Sequence, residues 1–429
     1  MWETNREVLG QRFPKVLAAL ESAPPPPASE WLDETPELTL CVRGIQLTGA
    51  CDRVAEAGEQ ANLIPTDARR AWVYGFGLGD LPRELLSRPK LERLVVVLFH
   101  PAITRTVLER VNCSDWLRDE RVELLLASEL AEPERPFAAL PGELILADDA
   151  SARFRDLVQI ELAGPWVAEM MDERREVFAS AIRANHANLI SDGDVEELFN
   201  SSPGETLYVA AAGPSLEDSY ELLGRRSGRL IAVGAALRPL LAAGVRPDMV
   251  VSIDGHPDGM RKHFDADLSE LRESALVYFP VTPPVVLAKW PGRRLAAYGN
   301  HPRWSQIHAL IPKGRLWGAG TVTHVAVDLA VRMGASRVVL VGCDFGFAGG
   351  RTHARGNVYS RETEHSVGTG TWVHDVHGQR LPTLPNLCGY LRDLERYIAY
   401  HLQVEFVNAS KAGALIAGTQ GIEEVSLES

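Results

Sequence analysis

LYVAAAGPSLEDSYELL, residues 207–223, is the stretch on which the reading of the second half of the chain turns. A short apolar run ends in Gly213-Pro214-Ser215 and gives way to helical spacing, so a buried strand passes through a tight turn into a helix. Gly213 allows the turn, Pro214 suits a first helical turn, and Ser215 can cap or donate. Outward from it the same rhythm recurs in RLIAVG, MVVSID, ALVYFP, RLAAY, RVVLVGCD and VEFVN, with helical segments between most of them. Alternation of this kind predicts a parallel sheet with crossover helices over residues 205–429.

The first half repeats the pattern in LTLCV, AWVYGFG, LVVVLF, VELLLA and ELILA, predicting a Rossmann-like domain over residues 37–163. Residues 1–36 read as a leading helix, with apolar positions at Val8, Leu9, Phe13, Val16, Leu17 and Leu20, followed by a stiff spacer at Pro24 to Pro27. Residues 164–204 read as a helical linker ending in a Ser, Gly and Pro cluster. The predicted fold class is therefore α/β, with two tandem Rossmann-like parallel-sheet domains and helical N-terminal and linking segments.

Composition narrows the function. The 429 residues are 45% hydrophobic, enough for a core in each domain, and the net charge of −13 speaks against binding of duplex nucleic acid. No run of about 18 apolar residues offers a membrane span, and the charged start lacks the order of a secretory signal, so a cytoplasmic protein is expected. Five dispersed cysteines without a Cys-x-x-Cys pair fit reduced thiols rather than a disulfide frame or thiolate zinc site.

Ligands of open parallel sheets bind at the carboxyl ends of strands, where this sequence places several polar groups. Gly213, Pro214 and Ser215 form one such turn; Asp254, Asp344 and Asn408 with Ser410 end three further strands. Each of these side chains also suits simple turn capping. Gly318, Gly320, Thr321 and Thr323 precede the helical segment HVAVDLAVRM, where glycines permit close backbone approach and threonines can hold a phosphate or a sugar hydroxyl, or merely cap the helix. After Asp344 about 40 residues read as one long loop containing His353, His365, His374 and His377 with Arg351, Arg355 and Tyr359, a supply of acid, base and phosphate-facing groups. His374 and His377 alone do not make a metal site, and no metal ligands are assigned. In the first domain VYGFGLGD, residues 73–80, has the form of a dinucleotide or methyltransferase turn. The next strand runs into His100-Pro101 with no acid placed for a ribose, so this domain is read as lacking a working cofactor site.

The strings AAGPSLEDSYELL, GVRPDMVVSIDG, GAGTVTHVAVDLAVRMGASRVVLVGCDFGFAGGRTHARG and VNASKAGALIAG together resemble the motility accessory factor (Maf) family of flagellin glycosyltransferases. The central region is also similar to archaeal 6-hydroxymethylpterin diphosphokinases, and YGFGLGD matches the N-terminal Rossmann-like domain of the Maf family. The resemblance implies a second domain related to bacterial sialyltransferases. It implies transfer of a nonulosonic acid, of pseudaminic or legionaminic type, from a CMP-activated donor to serine or threonine of flagellin, the protein partner, in support of flagellum assembly and motility. Sialyltransferases carry Gly-Asn-Gly-Pro-Ser where this chain has Ala211-Ala212-Gly213-Pro214-Ser215, so one side-chain contact is absent.

On that reading the turn at Gly213 to Ser215 and the loop from Gly318 to Thr323 hold the single phosphate of the donor. His353 is the expected general base for the acceptor hydroxyl, with Asp254 and Asp344 polarising it or binding cytidine and sugar hydroxyls. Asn408 completes the expected nucleotide-sugar set, no cofactor is required, and Mg²⁺ is an optional addition. Two other readings stand beside it. A diphosphokinase would use Asp254 and Asp344 to carry Mg²⁺ between ATP phosphates. A non-catalytic flagellin-binding factor would have no nucleotide affinity.

Overall fold

The computed structural model describes residues 1–424 apart from residues 25, 35–36, 50, 174, 256 and 366–370. It divides into two compact units, Met1–Gly164 and Pro165–Ser429. The division falls at Pro165, inside the helix Ala152–Glu173.

The smaller unit is built on four parallel strands in the order Val122–Leu126, Arg93–Leu98, Arg70–Tyr74, Phe137–Ala139. Alternate side chains enter opposite cores, as the period of two along a strand requires. Val73, Leu94 and Val96 join one cluster, while Trp72, Tyr74, Val95 and Val97 join the other. Near-continuous apolar runs follow from burial of both faces.

Two expectations change here. ELILA is not a strand: Pro141–Ile145 is helical and the fourth strand is Phe137–Ala139. Pro141 sits at the first helical turn, and periodicity alone does not separate a short apolar helix from a strand. LTLCV lies in Glu37–Val42 and pairs antiparallel with Ser29–Glu34 and Ile45–Gln46, outside the parallel sheet. Arg43 and Gly44, with φ of 51° and 80°, supply the two-residue hairpin turn that permits this. Within residues 1–36, Val8, Leu9, Val16 and Leu20 are buried in the same cluster as Leu94 and Val96. Buried Asn5 ties that helix down, donating to the carbonyls of Leu108 and Val111 (both 2.8 Å) and accepting from Cys113 N (2.9 Å). Within residues 164–204, two points are tied into the larger unit. Asn185 donates to the carbonyls of Pro280 and Thr282, and Gly193–Asp194 forms the edge strand beside Arg294–Ala296.

The larger unit carries a nine-stranded parallel sheet in the order Gln420–Gly421, Glu405–Asn408, Arg337–Val341, Thr206–Ala210, Leu230–Val233, Met249–Ser252, Ala275–Tyr278, Arg294–Ala296, Gly193–Asp194. All seven strands predicted in this half are present. From Thr206–Ala210 the chain builds the sheet in one direction as far as Arg294–Ala296, then returns and builds the other way through Arg337–Val341. The reversal opens a crevice beyond the carboxyl ends of these two central strands. The predicted 40-residue loop is partly regular, with a 3₁₀ turn at Ala348–Gly350 and a hairpin of Trp372–His374 with Arg380–Pro382. All five cysteines are free thiols; Cys51 is exposed and the other four are buried. Among the described residues no helix is long and apolar enough to cross a membrane.

Candidate functional site

A cavity of about 180 Å³ occupies the crevice of the larger unit, floored by Ala211–Gly213 from one central strand and Gly342–Gly346 from the other. The two strand ends lock together: Ala211 N donates to Val341 O (2.8 Å) and Gly213 N to Gly342 O (2.9 Å). A side chain at Gly213 would lie 2.5 Å from Asp344 Oδ2, and one at Gly342 the same distance from Ala211 O. Close approach explains both glycines.

Asp344 ends its strand almost fully buried, with its carboxylate already engaged. Oδ2 accepts from Ser215 N at 2.8 Å, while Oδ1 accepts from the Ser215 hydroxyl and from Ser410 Oγ at 2.9 Å. Burial raises its pKa, and the Ser215 bonds oppose the rise. The Gly213-Pro214-Ser215 turn therefore offers the cavity no spare amide: Gly213 N and Ser215 N have partners and Pro214 has no N–H. Asn408 closes on its own turn, accepting from Ser410 N (3.0 Å) and donating to Ala414 O (3.1 Å). Of the first and last turns only Gly213 reaches the cavity wall, together with Asp344.

The opposite wall is open to a ligand. Helix Val322–Arg332 begins at Thr321 with no side-chain cap, and Thr321, Val322 and Thr323 line the cavity. First-turn N–H groups have no partner within a helix and carry its partial positive charge. Gly318 and Gly320 lie further back and are exposed. Gly320 has φ of 91°, and a Cβ there would meet the Tyr390 ring at 2.6 Å.

His353 also lines the cavity, and its buried Nδ1 has no partner among the described residues. Burial holds its pKa below the usual histidine value, against the Tyr359 carbonyl, so the ring is neutral at pH 7 and Nδ1 can take a proton. Its loop is fixed rather than floppy: Arg351 and Arg355 N both bond Glu217, Ala354 N donates to Ala212 O, and Asn357 donates to Ala235 O. Asp254 is exposed and outside the cavity wall. It acts on buried His263, whose pKa is pushed down to about 4 by burial and by His353 and is held up in part by Asp254. Tyr359 links the two imidazoles, its ring 5.3 Å from His263 and 6.4 Å from His353.

The remaining loop histidines disperse. His365 stacks on Phe347, His374 contacts Trp372, and His377 bonds Lys411 O. Among the described residues no group of three or more His, Cys, Asp or Glu could hold a metal.

Among the residues not singled out from the sequence, two reach the wall from a distant helix and one holds the glycine loop behind it. Leu387 and Tyr390 come from helix Pro385–Tyr400, with no local motif to announce them. His324 accepts from Ala319 N (3.2 Å) and pairs through Nε2 with Tyr390 O (2.8 Å), pinning the glycine loop; burial drives its pKa to about 4. Its place one turn inside the helix after the Gly-x-Gly loop was the available signal.

The site is thus an open switch-point crevice of a parallel α/β sheet, with one anion-seeking helix end and one proton acceptor. Against known families, residues 180–350 match the model described as 6-hydroxymethylpterin diphosphokinase MptE-like. The chain is similar to the solved structure of the MAf glycosyltransferase from Magnetospirillum magneticum AMB-1, with 16% identity over 99% of this chain and 75% of that one and a TM-score of 0.45. Spermidine synthase from Thermotoga maritima aligns with 30% of this chain and 51% of its own, at 13% identity and TM-score 0.23. A spermidine synthase complex with the transition-state analogue AdoDATO does so at 12% identity, with the same coverage and TM-score. No curated protein matches. Both families to which the sequence motifs pointed are among these matches.

Proposed function

We propose that this chain is a cytoplasmic glycosyltransferase that moves a nonulosonic acid from a CMP-activated donor to serine or threonine of flagellin. The observation that carries the reading is the pairing, across one crevice, of an uncapped helix N-terminus with the unpartnered Nδ1 of His353. At about 180 Å³ the cavity is smaller than the roughly 300–1,000 Å³ of drug-sized ligand sites, so it encloses the reacting phosphate rather than the whole nucleotide sugar.

In the step proposed, His353 Nδ1 takes the proton of the acceptor hydroxyl as its oxygen bonds the anomeric carbon. The bond from that carbon to the CMP phosphate oxygen breaks, and CMP leaves with the electron pair. Charge developing on the phosphate is held by the N–H groups of Val322 and Thr323 and by the hydroxyls of Thr321 and Thr323. Asp344 braces the floor and is not the base, since its oxygens already accept three hydrogen bonds.

The match over residues 180–350 favours a second reading, diphosphoryl transfer from ATP. It requires a divalent cation on carboxylates such as Asp254 and Asp344, and Asp344 does not fit: a metal there would displace the Ser215 and Ser410 donors. A thermal-shift panel with CMP, CTP and ATP, each with and without Mg²⁺, separates the readings, because a ligand of the native state raises its melting temperature. Stabilisation by CMP without metal, followed by sugar transfer to flagellin from CMP-nonulosonic acid, supports the first. Stabilisation by Mg-ATP alone supports the second, and no shift with any nucleotide supports a non-catalytic flagellin-binding factor.

A further inference from the structure

A second cavity in the larger unit, about 410 Å³, lies toward the other end of helix Val322–Arg332, and the transferase reading makes no use of it. We infer that it is a binding site for a neutral, hydroxyl-rich ring such as a pyranose. Its inner wall is a ladder of flat faces: Trp317 stacks on Tyr397 at 4.4 Å and 25°, and Tyr397 on His401 at 4.0 Å and 22°. Buried Asp328 fixes the ladder, accepting from Trp317 N (2.8 Å), from the Tyr397 hydroxyl (2.7 Å) and from Arg332 (2.8 Å). At the mouth Tyr400 lines the same cavity while 85% exposed, so its ring is open to solvent.

The polar groups select the ligand. Asp393 and Arg396, loosely paired at 3.7 Å on one helix, bring a carboxylate and a guanidinium to the wall within reach of a bound ring. With Asp328 and Arg332 the lining holds two charges of each sign, which rewards neither a phosphate ester nor an ammonium ion. An apolar side chain would strip water from Asp393 and Arg396 and offer them no hydrogen bond in return. A pyranose satisfies both demands, laying its C–H face on an aromatic ring and turning its equatorial hydroxyls toward the carboxylate and the forked guanidinium. The volume falls within the usual range for small-molecule sites.

The inference does not depend on the transferase reading, and its test uses the full chain without nucleotide. Saturation-transfer NMR with methyl β-D-glucopyranoside and N-acetylglucosamine is expected to show millimolar binding, with CMP and n-butylammonium as charged controls. Tyr400→Ala and Arg396→Ala, both at solvent-accessible positions, are expected to weaken binding about tenfold each while leaving the melting temperature unchanged. Absence of transfer from either sugar overturns the proposal. So does sugar binding that survives both substitutions and is displaced by CMP, which would put the sugar in the first cavity. Binding of n-butylammonium that is abolished by Tyr400→Ala, with no sugar binding, would overturn the argument from charge balance.

Discussion

Each unit has a crevice where its sheet reverses direction, and in each a carboxylate from another segment takes up amides of the turn after the first central strand. In the smaller unit Glu143 Oε1 accepts from Phe76 N (2.7 Å) and Gly77 N (2.6 Å). Gly75 and Gly77 have φ of 85° and 59°; side chains there would strike Glu143 and Leu140, so the glycines serve a packed turn. In the larger unit Asp344 plays the corresponding part against Ser215. The difference lies beside the plug: Leu140 and Glu143 pack directly against the first turn, whereas the second crevice holds a cavity lined by Thr321 to Thr323 and His353. A glycine-rich turn after a strand is thus evidence for the switch point, and the ligand capacity depends on what the next elements leave uncovered.

The largest effect expected is on catalysis in the open crevice. Under the transferase reading His353→Ala lowers transfer by about 10²–10⁴-fold, measured as kcat/KM with CMP-sugar and flagellin. Because the folded pKa of His353 lies below 6.5, the acid limb of the wild-type rate lies below pH 6.5 and disappears in the variant. Unchanged transfer would remove the functional side of the comparison.

Next comes the plug itself. Asp344→Ala strands the Ser215 amide and two hydroxyls in a buried place and is expected to destabilise the larger unit by roughly 3 kcal/mol or more in urea unfolding. A loss below about 1 kcal/mol would mean that Asp344 does not brace the floor.

The plug of the smaller unit responds in the opposite sense. Burial raises Glu143 to about 7 from 4.5, against its two amide bonds. Both amides reach Oε1, so a proton on Oε2 leaves them intact. The folded state therefore holds the proton more tightly than the unfolded one: full stability is present below pH 4.5 and is lost as pH rises through 7. Glu143→Gln keeps the acceptor and removes the titration. It is expected to be isostable at pH 4 and more stable than wild type by up to about 3 kcal/mol at pH 8. A pH-independent difference would contradict this account.

The smallest effect belongs to Asn408. Asn408→Ala removes two turn bonds and is expected to lower stability by about 1 kcal/mol with transfer within twofold of wild type. A hundredfold loss of transfer at unchanged stability would restore Asn408 to the nucleotide site.

The sequence was most legible where one physical rule acts alone. Doubly buried strands such as RVVLV declare themselves by composition, and strand ends at Ala211 and Gly342 follow from sheet polarity. ELILA forms a helix because four apolar residues in a row fit a helix as well as a strand, and Pro141 decides the matter from the first turn. Site residues were legible as strand-end positions, whereas their availability was not. Whether Ser215 faces a ligand or Asp344 depends on a partner 129 residues away. Tyr390 and Leu387 reach the cavity by packing of a distant helix, which no local pattern encodes.

The thiols provide a built-in readout of cooperativity. Cys41 and Cys113 are sealed in the smaller unit, Cys343 and Cys388 in the larger, and Cys51 alone is exposed. Burial pushes Cys113 up to about 11 and Cys343 higher still, so these sulfurs stay inert until their surroundings open. After Cys51 is blocked, alkylation followed by peptide mass spectrometry dates the opening of each unit separately, one pair of sulfurs per unit. Simultaneous labelling of both pairs would mark a single cooperative block, and staggered labelling two independently breathing ones.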